Sequence, residues 1–394
     1  MRTIQNNAIC TRFIGALLFF LLQHSVSAQG PKYPPLDMNP FRDSEHHWYD
    51  ITNEENVVSP VPNQRKYKPE NVLEIGDNIL LYQKSNGGWP KNYDMLAILT
   101  NTQKKKLEQV KNNLNTTFDN STTYTHITCL STIYKETNIE KYKEGALKGL
   151  DFILSAQYSN GGWPQYYPLK DDYSRYITYN DDAMTGVMLL LKDILDGGKE
   201  YSYIDNGLRE KLKTAFDKGL QCILKTQIVD NGKLTAWCQQ YDEINLQPAW
   251  ARKFEPPSIC NRESCGLIEI LMRIRNPGKD IINSIQSAIN WFNESKITGI
   301  RVKTIEAPLT TYKYRVSHTD RVVLDDPAAP PIWTRYYELK THKPLFCNRD
   351  SKVVYSLTEV ERERRDGYGW YTYDPQAILN KYPEWAKKWL TDNK

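Results

Sequence analysis

Apolar residues recur at intervals of three and four along most of the chain after residue 70, which is the spacing of one face of an α-helix. Eight such stretches predict amphipathic helices, at residues 72–82, 107–114, 127–134, 146–154, 184–195, 208–223, 267–274 and 282–292. A further amphipathic stretch runs from 375 to 390. Two short segments, 302–305 and 321–324, have the composition of strands. The pattern therefore predicts a mainly α-helical protein.

The connections between these predicted helices differ in length. Short turns join the third to the fourth, the fifth to the sixth and the seventh to the eighth, whereas long loops precede the fifth and the seventh. In an antiparallel array, alternate loops lie at the same end. We therefore expect the loops before the third, fifth and seventh helices to meet there. That arrangement would bring Asp119, Asp181, Asp182 and Arg252 to one face, in loops of the length that usually carries function.

An internal repeat supports a ring of helix pairs. The segment Gln83–Pro90, with Asn-Gly-Gly-Trp-Pro at its end, recurs at Gln157–Pro164, and a weaker copy lies between Gln227 and Gln240. Asn-Gly-Gly permits a tight turn with positive φ, after which the Trp is expected to fold back over the preceding helix. Such repeats are typical of toroids. We therefore predict an (α/α) toroid of antiparallel helix pairs, with long loops and a few short strands forming one end. A purely architectural role is the simpler interpretation of the repeat itself.

The N-terminal residues have the pattern of an export signal. A positive start, an apolar run of about ten residues and a Val-Ser-Ala site predict a signal peptide over 1–28. The run is shorter than the ~20 residues that span a bilayer, so we expect no membrane anchor after cleavage. Residues 29–68 are polar and proline-rich, which predicts an extended lead-in, and 69–394 would form the catalytic domain. The expected location is the periplasm or the extracellular medium.

Charge and cysteine spacing argue against two kinds of site, one for nucleic acid and one for zinc. A formal net charge of +4 implies no broad field for nucleic acid. Six cysteines follow the signal peptide, none in the spacing of a zinc site. We expect buried free thiols, with a Cys260–Cys265 disulfide as the alternative. No apolar surface helix stands out, so a monomer is expected.

Two acidic segments could bind a cation. Asp119 begins Asp-Asn-Ser-Thr-Thr, and Asn180, Asp181 and Asp182 precede the fifth predicted helix. A single aspartate in either place could simply cap a helix. Two adjacent carboxylates beside an asparagine exceed what a cap needs, and they are hard oxygen ligands of the kind that calcium prefers.

Three arginines could bind or act on carboxylates. Arg252 lies in the long loop before the seventh helix, where an ion pair with Glu255 is the structural alternative. Arg335 and Arg349 lie in an aromatic, loop-rich region and could clamp carboxylates bidentately. A purely structural role is an equally good interpretation of Arg349, which adjoins Asp350.

Together with the run Gly-Gly-Trp-Pro-Lys-Asn that contains Lys91, these segments resemble, in order and spacing from Pro69 to Trp389, the pectate lyases of polysaccharide lyase family ten. The resemblance implies a toroid with an open groove that cleaves polygalacturonate, or pectin, with calcium. It implies that Arg252 is the base and that Asp181 binds calcium. Asp119 would act at the calcium ion and the substrate carboxylate. Arg335 and Lys91 would contact the substrate.

The implied reaction removes a weakly acidic proton beside a uronate carboxylate and eliminates the glycosidic oxygen. We expect nearby cations to lower the pKa of Arg252 and alkaline conditions to favour the reaction. Two alternatives stay open. Asp119 and Asp181 could be the paired carboxylates of a uronide hydrolase, or the toroid could bind polysaccharide without turnover.

Overall fold

Amphipathic helices make up most of the computed structural model, which describes residues 32–51, 56–313 and 315–390. The predicted signal peptide, 1–28, lies outside this part of the chain. No helix among the described residues is long and apolar enough to cross a membrane. The helices are α1 Arg42–Asp50, α2 Val72–Tyr82, α3 Asn101–Gln109, α4 Tyr124–Thr137, α5 Glu140–Ala156, α6 Ala183–Leu195, α7 Asn206–Thr226, α8 Asn261–Met272, α9 Lys279–Ser295, α10 Arg362–Gly367 and α11 Asp374–Leu390.

Antiparallel helix pairs build two layers. The pairs are α4 with α5, α6 with α7, and α8 with α9. Across pairs, α4 packs on α6 and α6 on α8, while α5 packs on α7 and α7 on α9. Helix α6 is buried along most of its length because it lies between these neighbours. The predicted (α/α) toroid of antiparallel pairs is thus confirmed.

The strands are short, with one exception. They are β1 Ile177–Thr178, β2 Val229–Asp230, β3 Lys233–Leu234, β4 Gln240–Tyr241, β5 Ile259–Cys260, β6 Ile300–Thr311, β7 Val316–Asp325, β8 Trp333–Thr334, β9 Tyr336–Tyr337, β10 Pro344–Cys347, β11 Val353–Val354 and β12 Tyr371–Thr372. Strands β6 and β7 form an antiparallel hairpin much longer than the two segments predicted for it. A four-stranded sheet with the order β11-β10-β9-β5 ties the segment before α8 to the C-terminal loops.

The repeated Gln and Trp residues hold the helix pairs together. The side-chain nitrogen of Gln83 donates to the carbonyls of Gly87, in its own turn, and Gly145, in helix α5. Gln157 donates in the same way to Gly161 and Ala215, and Gln227 to Thr235 and Ser284. We call Gln83, Gln157 and Gln227 the glutamine clasps. Because each carries one donor group to two backbone acceptors, it joins a turn to the next outer helix.

The Trp indoles complete this architecture. Trp89, Trp163 and Trp237 are fully buried, and each indole nitrogen donates to a carbonyl near the end of the preceding helix, at 2.7–2.9 Å. Trp333 does the same for helix α9, bonding to Phe292 at 2.8 Å, although no repeat was predicted there. The architectural interpretation of the repeat is therefore the correct one.

Three details differ from the expectations. The lead-in contains a helix, α1, whose Trp48 is buried and donates to the carbonyl of Val58. Helix α3 runs from Asn101 to Gln109, so the second helix begins and ends several residues before the predicted stretch 107–114. The six cysteines of the described chain are free; Cys260 bonds to Glu263 and Cys265 to the carbonyl of Asn261, so the alternative disulfide is wrong.

Candidate active site

The long loops before α4, α6 and α8 meet at one end of the toroid, as their topology predicts. The loop before α6 is bonded to the loop before α4 through Phe118, whose N–H donates to the carbonyl of Gln165. It is also bonded to the loop before α8 through the β1–β4 ladder, in which Thr178 faces Gln240. These cross-links place the predicted site residues of all three loops at the same rim.

Asp119 lies buried in the loop before α4. Its Oδ2 accepts a hydrogen bond from the Lys91 ammonium at 2.6 Å, while its Oδ1 has no hydrogen-bond partner among the described residues. Burial opposes ionisation, but Lys91 and, more weakly, the Gln165 side chain and Arg252 outweigh it and hold the pKa of Asp119 below its ordinary value. The next residues, Asn120 and Ser121, have φ values of 50° and 57°. Such strained backbone is typical of functional sites.

The segment Asn180–Asp182 forms a strained turn before α6. Asp181 and Asp182 both adopt left-handed backbone, with φ values of 51° and 57°. The side-chain nitrogen of Asn180 donates to Asp181 Oδ2 at 2.9 Å, and the Asn180 Oδ1 is buried without a described partner. Burial raises the pKa of Asp181, and the nearby negative charge of Asp119 raises it further. Two carboxylates that disfavour each other's ionisation are a natural site for a cation.

The three predicted metal ligands do not form a complete cage. Among the described residues, no three His, Cys, Asp or Glu side chains lie close enough together to hold a metal ion. Asp182 is exposed, and its strongest electrostatic neighbours after Asp181 are Arg262 and Glu263. The geometry therefore favours Asp119 and Asp181 over Asp182, and a bound calcium would need further oxygens from substrate or water.

Arg252 faces the same two aspartates from the loop before α8. Its positive charge lowers the pKa of both Asp119 and Asp181. Its Nε donates to Glu255 Oε2 at 2.8 Å and its Nη2 to Oε1 at 2.5 Å, while 42% of the side chain stays exposed. Although burial opposes the charge, Glu255 raises the pKa of Arg252 well above its ordinary value. The direction is opposite to the one expected from the sequence, because the nearest ion is an anion.

Arg335 is buried rather than available at the surface. Only 3% of the residue is exposed, its guanidinium is ion-paired with the equally buried Glu263, and it lies 4.8 Å from the ring centre of Tyr368. The predicted clamp on substrate is therefore closed on a protein carboxylate. Sequence reasoning missed Glu263 because it lies 72 residues away in the chain. The positive charge of Arg335 is close enough to the site to lower the pKa of Asp181.

Arg349 also has a protein partner, although not the neighbouring Asp350. Its Nε and Nη2 donate to the carboxylate of Glu363 at 2.7 and 3.0 Å. Glu363 is shared with Arg364, and both guanidinium groups lie about the ring of Phe254, at 5.2 and 4.7 Å from its centre. The ring of Phe254 also lies 5.1 Å from the guanidinium of Arg252. This aromatic and arginine cluster therefore supports the loop that carries Arg252.

Exposed aromatic surface near the site is limited to few residues. Trp250, two residues before Arg252, is 41% exposed, whereas the tryptophans of the repeat are fully buried. An exposed indole presents a flat apolar face of the kind that packs on sugar rings. Most aromatic residues of the described chain are buried in the core instead.

Comparison with known proteins identifies the family of this chain. A family model described as pectic acid lyase matches residues 83–379, which is about three quarters of the chain. The chain belongs to the pectic acid lyase family. The family 10 polysaccharide lyase from Cellvibrio cellulosa is 30% identical to this lyase, with a TM-score of 0.68 over 81% of this chain and 92% of that one.

A second structure of the Cellvibrio enzyme, an aspartate-to-alanine mutant in complex with trigalacturonic acid, matches with the same identity, coverage and TM-score. No match was found among curated protein sequences. This chain is thus a polysaccharide lyase, and the comparisons favour this class over the uronide hydrolase and the non-catalytic binding module.

Proposed function

We propose that the protein is a calcium-assisted pectate lyase that cleaves polygalacturonate by β-elimination. The observation that carries this proposal is the cross-linking, at one rim of the toroid, of the three loops that carry Asp119, Asp181 and Arg252. The guanidinium can pair directly with a uronate carboxylate, and the two aspartates could bind a second one through a bridging cation. The bound trigalacturonic acid of the Cellvibrio relative supports the same substrate class.

Asp119 and Asp181 are the residues that would hold the calcium ion. Both are in strained loops, the pKa of Asp181 is raised by burial and by Asp119, and oxygens of Asp119 and Asn180 have no described hydrogen-bond partner. Buried polar atoms without partners are rare and often mark an ion or ligand site. When bound, calcium would supply Lewis-acid stabilisation of the negative charge that develops on the uronate carboxylate.

Arg252 is the proposed base. Its nitrogen takes the proton from the carbon that bears the carboxylate, the electrons of that C–H bond form the new double bond, and the bond from the neighbouring carbon to the glycosidic oxygen breaks. The leaving oxygen then takes a proton from water. Lys91 assists by keeping the Asp119 carboxylate charged and fixed.

The raised pKa of Arg252 shapes the expected pH dependence. A base must be neutral to accept a proton, and Glu255 favours the charged form of this arginine. The neutral fraction grows as pH rises, so turnover should increase with pH across the alkaline range. This agrees with the alkaline optimum expected from the sequence, although for a different reason.

The deciding experiment is an assay on polygalacturonate at alkaline pH, with calcium and then with a chelator. A lyase gives an unsaturated uronide with new ultraviolet absorbance, and the chelator should abolish it. New reducing ends without that absorbance would identify a hydrolase, and binding without either product would identify a binding module.

Location and assembly follow the sequence pattern. We propose export through the segment 1–28, action in the periplasm or the medium, and function as a monomer. Sequencing the N-terminus of the secreted protein and measuring its mass in solution test these points. A retained N-terminal segment or a stable dimer would contradict them.

A further inference from the structure

A buried hydrogen-bonded chain runs behind Arg252. Glu255 is fully buried and accepts from the backbone N–H, Nε and Nη2 of Arg252, at 3.0, 2.8 and 2.5 Å. The hydroxyl of Tyr368 donates to its Oε1 at 2.8 Å. These four donors fill the four acceptor positions that a carboxylate offers. Glu255 therefore has no capacity left for substrate and can act only through Arg252.

The chain continues to the opposite side of the site. The hydroxyl of Tyr336 is hydrogen-bonded to that of Tyr368 and lies 2.8 Å from the side-chain amide of Gln239. The backbone carbonyl of Gln239 accepts from the N–H groups of Tyr179 and Asn180, at 2.8 and 3.3 Å. A continuous run of bonds thus joins the arginine to the turn that carries Asp181.

The direction of these bonds is fixed by proton counting. Each hydroxyl has one proton, and Tyr368 donates its own to Glu255. Tyr336 must then donate to Tyr368, and the amide of Gln239 must turn its nitrogen toward Tyr336, an orientation with the same heavy-atom positions. In that orientation the Gln239 nitrogen is paired with Tyr336, and the amide oxygen takes the buried position that has no described partner. All donors then point toward Glu255 and stabilise its charge.

We propose that Glu255 and Tyr368 are positioning residues for the elimination reaction, which set Arg252 against the Asp119–Asp181 pair through Tyr336 and Gln239. This inference rests on the proposed function, because it assumes that Arg252 takes the proton. Glu255 fixes both the direction of the guanidinium and its charge, so the two contributions can be separated by substitution.

Glu255→Gln is the first test. The amide keeps one acceptor and turns N–H groups toward the guanidinium, so Arg252 should lose its position. We expect kcat on polygalacturonate to fall on the order of a hundredfold, with KM changed far less. The rising limb of the pH profile should move to lower pH, because the anion that raises the pKa of Arg252 is gone. The other titratable groups facing Arg252 remain unchanged; these are Asp119, Asp181, Tyr173 and Tyr368.

Glu255→Asp separates charge from position. It keeps the anion, so the rising limb should stay near the wild-type pH, while kcat falls because the shorter side chain cannot hold the same geometry. The matched control is Asp320→Asn, which breaks a similar bidentate pair with Arg365, at 2.8 and 2.6 Å, outside the site. That control should leave both kcat and the pH profile unchanged.

Tyr368→Phe keeps the proposal testable if the Glu255 variants fail to fold. It removes the donor to Glu255 together with the contact to the Tyr336 hydroxyl, and kcat should fall about tenfold, as expected for one lost hydrogen bond to a charged group. Tyr142→Phe, which removes a comparable phenol–carboxylate bond to Asp77, is its control and should leave kcat unchanged.

The outcomes separate this inference from the proposed function. If Arg252→Ala keeps full turnover, the proposed function fails. If Arg252→Ala is inactive but Glu255→Gln and Tyr368→Phe match their controls in kcat and pH profile, only the positioning role is overturned. A fall in kcat for Glu255→Gln without any shift of the rising limb would also overturn it, since a merely structural residue would give that result.

Discussion

Lys91 and Asp119 join two distant segments of the chain at the candidate site. The Lys91 ammonium donates to Asp119 Oδ2 at 2.6 Å across 28 residues of sequence. The bond ties the Trp-Pro-Lys-Asn turn after α2 to the loop before α4, and it keeps a buried carboxylate charged. A residue whose role the sequence pattern assigned to substrate contact thus also serves a protein carboxylate.

Replacing Lys91 should therefore change the pH dependence of the enzyme. Without the ammonium, the pKa of Asp119 rises, because burial is then opposed by the weaker contributions of the Gln165 side chain and Arg252. For Lys91→Met we expect the loss of calcium-dependent turnover on acidification to begin at higher pH than in wild type. Lys91→Arg, which keeps the charge, should restore most of the wild-type profile. Identical profiles for Lys91→Met and wild type would contradict this role.

Asp181→Asn should weaken calcium binding at the proposed site. The substitution removes a charge of the proposed ligand pair while nearly preserving size. We expect the calcium concentration for half-maximal turnover to rise at least about tenfold, or ~1.4 kcal/mol. The control is Asp193→Asn, on helix α6, which alters a carboxylate that is ion-paired with Arg273. It should leave the calcium dependence unchanged. An unchanged calcium dependence in Asp181→Asn would remove this residue from the site.

Arg252→Ala should abolish nearly all turnover while substrate binding persists. A base in the transition state contributes on the order of 10²–10⁴-fold to the rate, and kcat should fall by that amount. Arg252→Lys should fail as well, because a lysine cannot reproduce the two-point contact with Glu255. Arg273→Ala serves as the control for loss of a surface guanidinium. Near-wild-type kcat in Arg252→Ala would show that another group takes the proton.

His126 should make the folded state sensitive to mild acid. It is buried beside Phe41 and Trp89, and this burial lowers its pKa to about 3. The unfolded chain takes up a proton below its ordinary pKa of ~6.5, whereas the folded protein does not, so stability falls as pH drops. Between pH 7 and pH 5 this residue should cost about 2 kcal/mol of unfolding free energy.

The comparison variant is His126→Gln, which has no titrating group but can still accept from the backbone N–H of Thr123, as His126 does in capping α4. Denaturant unfolding at the two pH values should show a smaller difference for the variant than for wild type. Equal differences would mean that His126 does not govern the acid response.

The glutamine clasps should contribute to the stability of the folded protein without affecting kcat. Gln227→Ala leaves the buried carbonyls of Thr235 and Ser284 without their side-chain donor, and we expect a loss of about 2–4 kcal/mol. Gln376→Ala, at an exposed position on α11, should change stability by less than about 0.5 kcal/mol. Thermal unfolding measures both, and kcat at a temperature where both are folded should match wild type. A stable Gln227→Ala would contradict the clasp.

Much of the fold could be predicted because its signals are local. The eight apolar stretches correspond to helices α2 to α9, and the Asn-Gly-Gly-Trp turns lie where the repeat places them. Helix α1 was missed because its nine residues carry little apolar periodicity and depend on a few buried side chains such as Trp48. The length of the β6–β7 hairpin was missed since most of its residues are exposed on both faces and lack the alternation of a half-buried strand.

The site was predictable in location but not in its ion pairs. Loop topology was sufficient to bring Asp119, Asp181 and Arg252 together. The partner of Arg252 was within reach of sequence reasoning, because Glu255 lies three residues away. Glu263, the partner of Arg335, and Glu363, the partner of Arg349, lie 72 and 14 residues from those arginines, and no local pattern marks them. Whether an arginine is available to substrate is decided by such distant carboxylates.

The glutamine clasps also set an order of events during protein synthesis. Each clasp has one acceptor in its own turn and a second acceptor that is 62, 58 or 57 residues further along the chain. A nascent chain leaving the ribosome therefore holds each amide half-satisfied until the next outer helix has been made. The clasps can become complete only in chain order, and a chain that ends before an outer helix leaves that glutamine with the acceptor in its own turn alone.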